Sequence, residues 1–152
     1  MKSQAYKLKL DKEKLQRTLK VLKTEIGEMS VKHFKQSFNK EGFNDMPFIK
    51  WQPLKRARKR YANRKILTQT GALKNSLNHA GRLTRNEWNV VVWSTKIYAK
   101  IHNEGLMGLA FGKYPFKMPK RQFMGNSNIL DKKIQTRIDN RLSKALNLKR
   151  TN

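Results

Sequence analysis

The feature that most constrains the fold is a long stripe of apolar residues near the start of the chain. Over residues 12–39, large apolar side chains recur every three or four positions, with lysine and glutamate between them. This spacing predicts one long amphipathic helix. Asp11 is a suitable N-cap, and Leu10 and Leu15 stand where a hydrophobic staple would place them. The stripe either packs on a sheet, which we favour, or forms a coiled-coil contact with a neighbouring subunit. It consists of Leu15, Leu19, Leu22, Ile26 and Met29, continued by Phe34 and Phe38.

A second stripe near the C-terminus predicts another helix. It begins near Ser127 or Asn128, and Asp131 then lies in the first turn, where a carboxylate is favourable. From Asn147 onwards the chain end is basic, and we expect it to be frayed. The inner face of this helix would consist of Leu130, Ile134, Ile138, Leu142 and Ala145.

Two segments have the composition of strands. Residues 5–10 alternate between apolar and lysine positions, which predicts a short strand with one solvated face. Residues 87–94 are β-branched, aromatic and almost unbroken in apolarity, which predicts a central strand covered on both faces. The gaps between the strand candidates are not regular βαβ units. We therefore predict an α+β fold in a single domain, residues 1–152, with both long helices packed on a small, mainly antiparallel sheet.

The remaining segments predict shorter elements, placed by their turn and capping residues. A turn-rich loop with aromatic anchors covers residues 39–52, and Pro53 opens a helix that ends near Arg64. Thr68 or Thr70 caps a short helical segment that has Leu73, Ser76 and Leu77 on one face. A short helix over residues 98–104 ends at Gly105, and an irregular loop follows over residues 106–118.

Charge is the strongest compositional signal. Lys and Arg number 35 against 10 Asp and Glu, and the net charge of +25 attracts polyanions. Composition places nucleic acid first among partners, followed by an acidic protein surface. Residues 55–65 concentrate this charge around Tyr61, which could stack on a base. This basic run either contacts the phosphate backbone, or is a solvated surface or one that docks on an acidic protein. Its cations are Lys55, Arg56, Arg58, Lys59, Arg60, Arg64 and Lys65.

The sequence offers little for catalysis or metal binding. It has no cysteine, so disulfides and thiolate metal sites are excluded. His33, His79 and His102 match no HExxH pattern, and neither a GxSxG elbow nor a glycine-rich phosphate loop occurs. We predict a protein that is not an enzyme, with no catalytic residue, metal, cofactor or small-molecule substrate, and we expect His102 to be a hydrogen-bonded structural residue. No stretch approaches the roughly 20 apolar residues of a membrane span, and we see no secretion signal. We therefore expect no membrane partner and synthesis in the cytoplasm.

Four segments, in this order, resemble one family. They are W-x-P-L at residues 51–54, L-x-x-T-G-x-L-R-x-S-I at 67–77, Y-A-x-I-H-x-x-G at 98–105 and [MI]-P-x-R-x-F-[LM]-G at 118–125. Together they resemble the phage virion morphogenesis family, the tail-completion proteins of tailed phages. Lys74 and Leu77 are mild departures, standing where that pattern has Arg and Ile. The resemblance is carried by Trp51, Leu54, Thr70, Gly71, Leu73, Ser76, Tyr98, Ala99, His102, Gly105, Pro119, Arg121, Phe123 and Gly125.

The resemblance implies a non-enzymatic structural protein that acts late in phage assembly, in tail completion and stable head–tail joining. It implies a ring of copies, with a hexamer as the expected size. It also implies contacts with neck, tail-tube or connector proteins, with genomic DNA at the joint as a further candidate. The expected location is the tail or neck of the virion, after assembly in the host cytoplasm. The alternative is a basic nucleic-acid-binding protein that contacts the phosphate backbone non-specifically.

The motif residues suggest structural roles. Gly71 and Gly105 suit turns or caps that need a permissive backbone. Residues 119–123 predict an extended segment that buries Phe123 in a core or against a neighbour. Arg121 is expected to pair with a carboxylate, for which Glu104 is a candidate. Residues 106–117 predict contact with an adjacent subunit, which in a closed ring is heterologous; an ordinary surface loop is the alternative. The predicted contact residues are Leu106, Met107, Leu109, Phe111, Tyr114 and Phe116.

Overall fold

One long helix organises the fold. The computed structural model describes residues 11–54, 65–84 and 87–146, and its first element is α1, Lys12–Lys40. The carboxylate of Asp11 accepts the amide of Lys14 at 2.9 Å, which caps the helix as predicted. The helix ends where Glu41 adopts a left-handed φ of 53°. The apolar stripe packs within the chain, so the predicted helix is confirmed and the coiled-coil interpretation is not needed. Its buried members are Leu22, Ile26, Phe34 and Phe38.

The strands of the described ranges form three antiparallel hairpins. α1 lies across the second hairpin. At the crossing Gly27 approaches His79 so closely that a Cβ on the glycine would come within 2.0 Å of the imidazole ring. The predicted α+β class and antiparallel pairing are confirmed. The pairs are β1 (Gly42–Phe43) with β2 (Ile49–Lys50), β3 (Leu77–Leu83) with β4 (Trp88–Ser94), and β5 (Met107–Ala110) with β6 (Tyr114–Lys117).

The later helices follow their predicted caps. α3 (Ala99–Glu104) ends at Gly105, which has a φ of 72°. α4 (Asn128–Ala145) begins after Ser127, whose hydroxyl accepts the amide of Leu130. α4 packs along α1, and an ion pair joins Arg141 to Glu25 across the two helices. The predicted inner face of α4 is buried or half-buried along its length.

The second hairpin corrects the prediction of a strand covered on both faces. In the part of the chain that the structure describes, β4 pairs with β3 alone. Val91 is 55 % and Trp93 39 % exposed, whereas the intervening Val92 packs against the core. The prediction was wrong because it took the nearly unbroken apolar run to mean that both faces of the strand are covered. Here the outer face leaves its valine and tryptophan in solvent beside exposed Asn78 and Ala80.

Two further segments differ from prediction. The short helix α2 (Ala72–Asn75) begins after Gly71 rather than after a threonine, although the Thr70 hydroxyl accepts the amide of Ala72. Leu77 opens β3 instead of continuing the helix. The turn-rich segment 39–52 contains the two-residue ladder of β1 and β2. Its aromatic anchors are Phe43 and Trp51, which are buried, while Phe48 is 48 % exposed.

Aromatic rings from distant parts of the sequence meet in the core. Phe38 of α1 lies 5.0 Å from Phe123 and 5.6 Å from Trp51, measured between ring centroids. These contacts join α1 to the segments on either side of α3. The predicted strand over 5–10, the helix after Pro53 and the frayed end from 147 lie outside the described residues.

Candidate protein-interaction site

Residues 107–117 form a β-hairpin, which we call the arm. Its prediction as an irregular loop was wrong. Gly108 stands opposite Phe116, and a Cβ on this glycine would come within 2.7 Å of the phenylalanine ring, so the glycine makes room for its cross-strand neighbour. At the tip, Phe111 and Gly112 both have positive φ, 54° and 70°. Glycine and proline were therefore misleading here, because they shape a hairpin rather than interrupt one.

The arm exposes more apolar surface than a solvated hairpin needs. Phe111 at the tip is 98 % exposed, and Met107, Leu109 and Tyr114 are each more than 60 % exposed. Leu106 is 38 % exposed, and Phe116 is half-buried against Gly108. The structure thus places all six predicted contact residues on or beside one hairpin. By the strand register, Met107 and Leu109 lie on one face of the hairpin and Tyr114 lies on the other, with Phe111 at the tip. Exposed apolar side chains in this number are characteristic of an interaction site.

The segment that follows the arm, residues 118–124, is held by several hydrogen bonds, and we call it the anchor segment. The side-chain oxygen of Asn103 accepts the amides of Phe123 at 2.9 Å and Met124 at 3.1 Å. The amide of Arg121 donates to the carbonyl of His102 at 2.8 Å. The indole of Trp51 donates to the Gln122 carbonyl at 2.7 Å. The arm therefore projects from a rigid base.

Gly105 is required at this base. Its φ of 72° is left-handed, and a Cβ there would lie 2.8 to 2.9 Å from Lys120, including the lysine backbone. The family pattern thus brings three of its four blocks together at one place, through Trp51, α3 and the anchor segment. Asn103 was missed by sequence reasoning, because the pattern Y-A-x-I-H-x-x-G leaves its position open.

The expected pairing of Arg121 with Glu104 is wrong, and no carboxylate of the described residues pairs with this arginine. Arg121 is 4 % exposed, its Nη2 donates to the Gln52 carbonyl at 3.3 Å and its Nη1 reaches the Met118 sulfur at 3.9 Å. Its Nε has no hydrogen-bond partner among the described residues. Glu104 is exposed. Burial lowers the pKa of the guanidinium.

His102 also departs from expectation. Its Nδ1 is buried without a hydrogen-bond partner in the described part of the chain, so the predicted side-chain hydrogen bond is not found. Burial lowers the pKa of His102, and the nearby charge of Arg121 lowers it further. The ring packs edge-on to Tyr98 at 6.0 Å. Two neighbouring side chains at the foot of the arm thus carry unsatisfied buried nitrogen atoms.

The other motif residues support the fold. Ser76 is buried, and its hydroxyl lies 2.7 Å from both the Leu73 carbonyl and the Ser94 hydroxyl. Leu73 and Ala99 are core residues, whereas Leu54 is 48 % exposed. Thr70 and Gly125 are exposed, and Pro119 is half-buried.

Of the basic run, only Lys65 falls within the described residues. It is exposed, and its amino group donates to the Asn39 carbonyl at 3.0 Å. The rest of the run, from Lys55 to Arg64, lies outside the described residues, so its role stays a prediction.

A buried polar cluster joins α1 to the start of α4. His33 is 3 % exposed; its Nδ1 lies 3.2 Å from the side-chain nitrogen Nδ2 of Asn44, and its Nε2 lies 3.1 Å from the Ser127 hydroxyl. The carboxylate of Asp45 accepts the first amides of α4, which caps that helix a second time. Burial lowers the pKa of His33, and the charge of Lys133 lowers it further. Within residues 11–54, 65–84 and 87–146, no group of three or more His, Cys, Asp or Glu is placed to hold a metal ion.

An exposed apolar arm on a rigid base is typical of a protein that acts through contacts with other macromolecules. A sequence model of the phage virion morphogenesis family matches residues 5–143, and the chain belongs to this family. The resemblance seen in the motifs is therefore confirmed, and the protein has a structural or assembly role in a phage. Searches of curated proteins and of solved structures found no match. Among the helices that the structure describes, none is long and apolar enough to cross a bilayer.

Proposed function

We propose that this protein completes the phage tail and stabilises its joint with the head, as a non-enzymatic component of the neck or tail terminus. The observation that carries the proposal is the family match over residues 5–143. The four motif blocks on which the proposal first rested lie inside that range.

The arm supplies a physical means for this role. A ring needs two different surfaces on each subunit, because each copy contacts its neighbours heterologously. The arm supplies an exposed surface for contact with other proteins, with Leu109, Phe111 and Tyr114 exposed, and its anchored base fixes its direction. We propose a ring, with a hexamer as its expected size, that contacts other neck, tail-tube or connector proteins.

Electron microscopy of a lysate from phage deleted for this gene tests the role. Filled heads beside separate tails, or tails of abnormal length, are the expected result, and expression of the intact protein in the host should restore joined particles. Intact, infectious virions in the deletion lysate would contradict the proposal.

The net charge of +25 favours a second candidate, non-specific binding of the phosphate backbone. This reading predicts DNA binding that weakens steeply as salt rises, since each phosphate contact releases counterions. Binding that is absent at low salt, or unchanged from low to high salt, would exclude it. The two candidates are compatible, because the genome passes through the joint.

A further inference from the structure

The foot of the arm holds a buried cation that no carboxylate of the described residues neutralises. Arg121 is 4 % exposed and donates through Nη2 to one backbone carbonyl, that of Gln52. Its Nη1 faces the thioether of Met118, which is a weak acceptor. A buried charge is strongly unfavourable unless it is paired.

Every acidic side chain of the protein can be accounted for. The sequence contains ten, and all ten lie in the ranges that the structure describes. The described residues form two ion pairs, Glu13 with Arg17 and Glu25 with Arg141, and neither involves Arg121. A side-chain carboxylate for Arg121 must therefore come from another molecule. The ten are Asp11, Glu13, Glu25, Glu28, Glu41, Asp45, Glu87, Glu104, Asp131 and Asp139.

The surroundings of Arg121 favour a protein carboxylate over a DNA phosphate. The guanidinium is 4 % exposed and its Nη1 faces the Met118 sulfur, so a rigid duplex backbone has no access to it. The adjacent arm presents apolar side chains, which suit the centre of a protein interface. Its exposed Lys113 and Lys117 suit an acidic partner. His102 beside it contributes a buried, unpaired Nδ1.

We propose that the arm and Arg121 form one docking site for an acidic segment of another virion protein. The segment covers Phe111 at the tip and the face of the arm that carries Met107 and Leu109. It places an Asp or Glu side chain against the Nη1 edge of Arg121 as the Met118 side chain moves aside. The inference rests on the proposed function, since it requires a partner in the virion. A second copy of this chain is a poorer source of that Asp or Glu, because it carries only 10 carboxylate side chains against 35 Lys and Arg.

Photo-crosslinking in the assembled phage locates the partner. A benzoylphenylalanine at position 111 replaces a side chain that is 98 % exposed, and the same probe at position 97, which is 95 % exposed and outside the arm, is the matched control. Position 111 should crosslink to a peptide of another virion protein that contains Asp or Glu, and position 97 should not crosslink to that peptide. A crosslink from position 111 only to DNA or only to a second copy, or no crosslink at all, would overturn the proposal.

Variants of Arg121 then separate docking from a purely structural role. Arg121→Gln removes an unpaired buried charge, so the free protein should melt at the same temperature or higher, while its affinity for the purified crosslinked partner falls at least tenfold. Arg137→Gln removes the same charge from an exposed position on α4 and should change that affinity less than threefold. A lower melting temperature for Arg121→Gln, with affinity unchanged, would assign the arginine to the fold alone.

The partner's own carboxylate provides a test that does not depend on folding of the Arg121 variant. Changing that Asp or Glu to its amide should weaken binding to the unmodified protein at least tenfold, and should cause no further loss when combined with Arg121→Gln. Additive losses would show that the two groups do not meet. Failed joining in the deletion lysate together with additive losses would reject only this docking site. Intact virions in that lysate would reject the assembly role itself.

Discussion

Asn103 fixes the anchor segment through a single side-chain oxygen. That oxygen accepts two backbone amides, those of Phe123 and Met124, and so replaces the strand pairing that this extended segment lacks in the described structure. Phe123 is fully buried against Phe38, so its backbone amide has little access to water. The orientation of the arm therefore depends on a residue that contributes nothing to the exposed surface.

Replacing Asn103 with alanine should destabilise the protein by about 2 kcal/mol, because two partly buried amides lose their acceptor. Asn103→Asp is the matched control, since a carboxylate oxygen accepts the same two hydrogen bonds, and it should lose less than half as much. Urea denaturation measures both changes. Equal losses for the two variants would show that the hydrogen bonds are not what the residue contributes.

At the scale of elements, the docking of α4 on α1 depends on a neutral histidine. The side-chain nitrogen of Asn44 belongs to an NH2 group, which donates hydrogen bonds and accepts none. It donates to Gln36, and its contact with His33 is therefore a hydrogen bond donated to Nδ1. Protonation of Nδ1 of His33 would place an N–H group opposite the NH2 group of Asn44, so that two donors face each other, and it would also bury a positive charge. This agrees with the lowered pKa of His33, for which burial is the largest cause.

Stability should therefore fall as the pH falls. The unfolded chain takes up a proton on His33 near the ordinary pKa of about 6.5, while the folded protein resists it to lower pH. The contribution is complete above about pH 6.5 and is lost progressively below that value, until the folded pKa is reached. Urea midpoints measured from pH 7.5 to pH 5 should show this decline, and His33→Gln should flatten it. His102, whose pKa is also lowered, leaves a residual slope. A His33→Gln variant with an unchanged slope would refute this assignment.

In the arm, an exposed side chain can be replaced without changing the stability of the fold, so a loss of binding can be told apart from a loss of folding. Phe111→Ser should leave the free energy of unfolding unchanged within about 0.5 kcal/mol, because the side chain has almost no contacts to lose. The same change should prevent the protein from restoring joined particles to the deletion phage. Ile97→Ser, which alters an equally exposed residue outside the arm, should restore them. Restoration by both variants would remove the arm from the interface.

Helices were predictable from the sequence because their signals are local. Asp11, Ser127 and Gly105 cap three helices where the sequence placed them, and the apolar stripe of α1 defines its buried face. Hairpins depend on pairing partners that the local pattern does not reveal. The arm was therefore predicted as a loop, and β4 as a strand covered on both sides. The geometry around Arg121 was not predictable either, because it depends on Gln52 and Met118 meeting at one point.

At the scale of the whole molecule, positive charge is the dominant property. The few carboxylates are largely engaged within the fold, for example Asp11 and Asp45 at helix N-termini and Glu25 in an ion pair with Arg141. Copies brought together in a ring would repel one another at low salt, over a Debye length of about 10 Å at 0.1 M. Assembly therefore favours anionic neighbours. These are an acidic protein at the arm and, as the second candidate, DNA at the basic run.

A five-residue variant distinguishes these neighbours. It replaces Lys55, Arg56, Arg58, Lys59 and Arg60 with glutamine, and its control replaces five exposed lysines elsewhere with the same residue: Lys12, Lys20, Lys32, Lys120 and Lys132. We expect the first variant to bind duplex DNA at least tenfold more weakly at 50 mM salt, with a shallower salt dependence, because each lost phosphate contact reduces the slope by about 0.9. The control should lose less affinity although it loses the same charge, since its lysines are scattered.

Head–tail joining should survive the first variant if the arm alone meets the protein partner. Loss of joining with DNA binding intact would instead assign the basic run to an acidic protein, and the arm would then be only part of a larger protein interface.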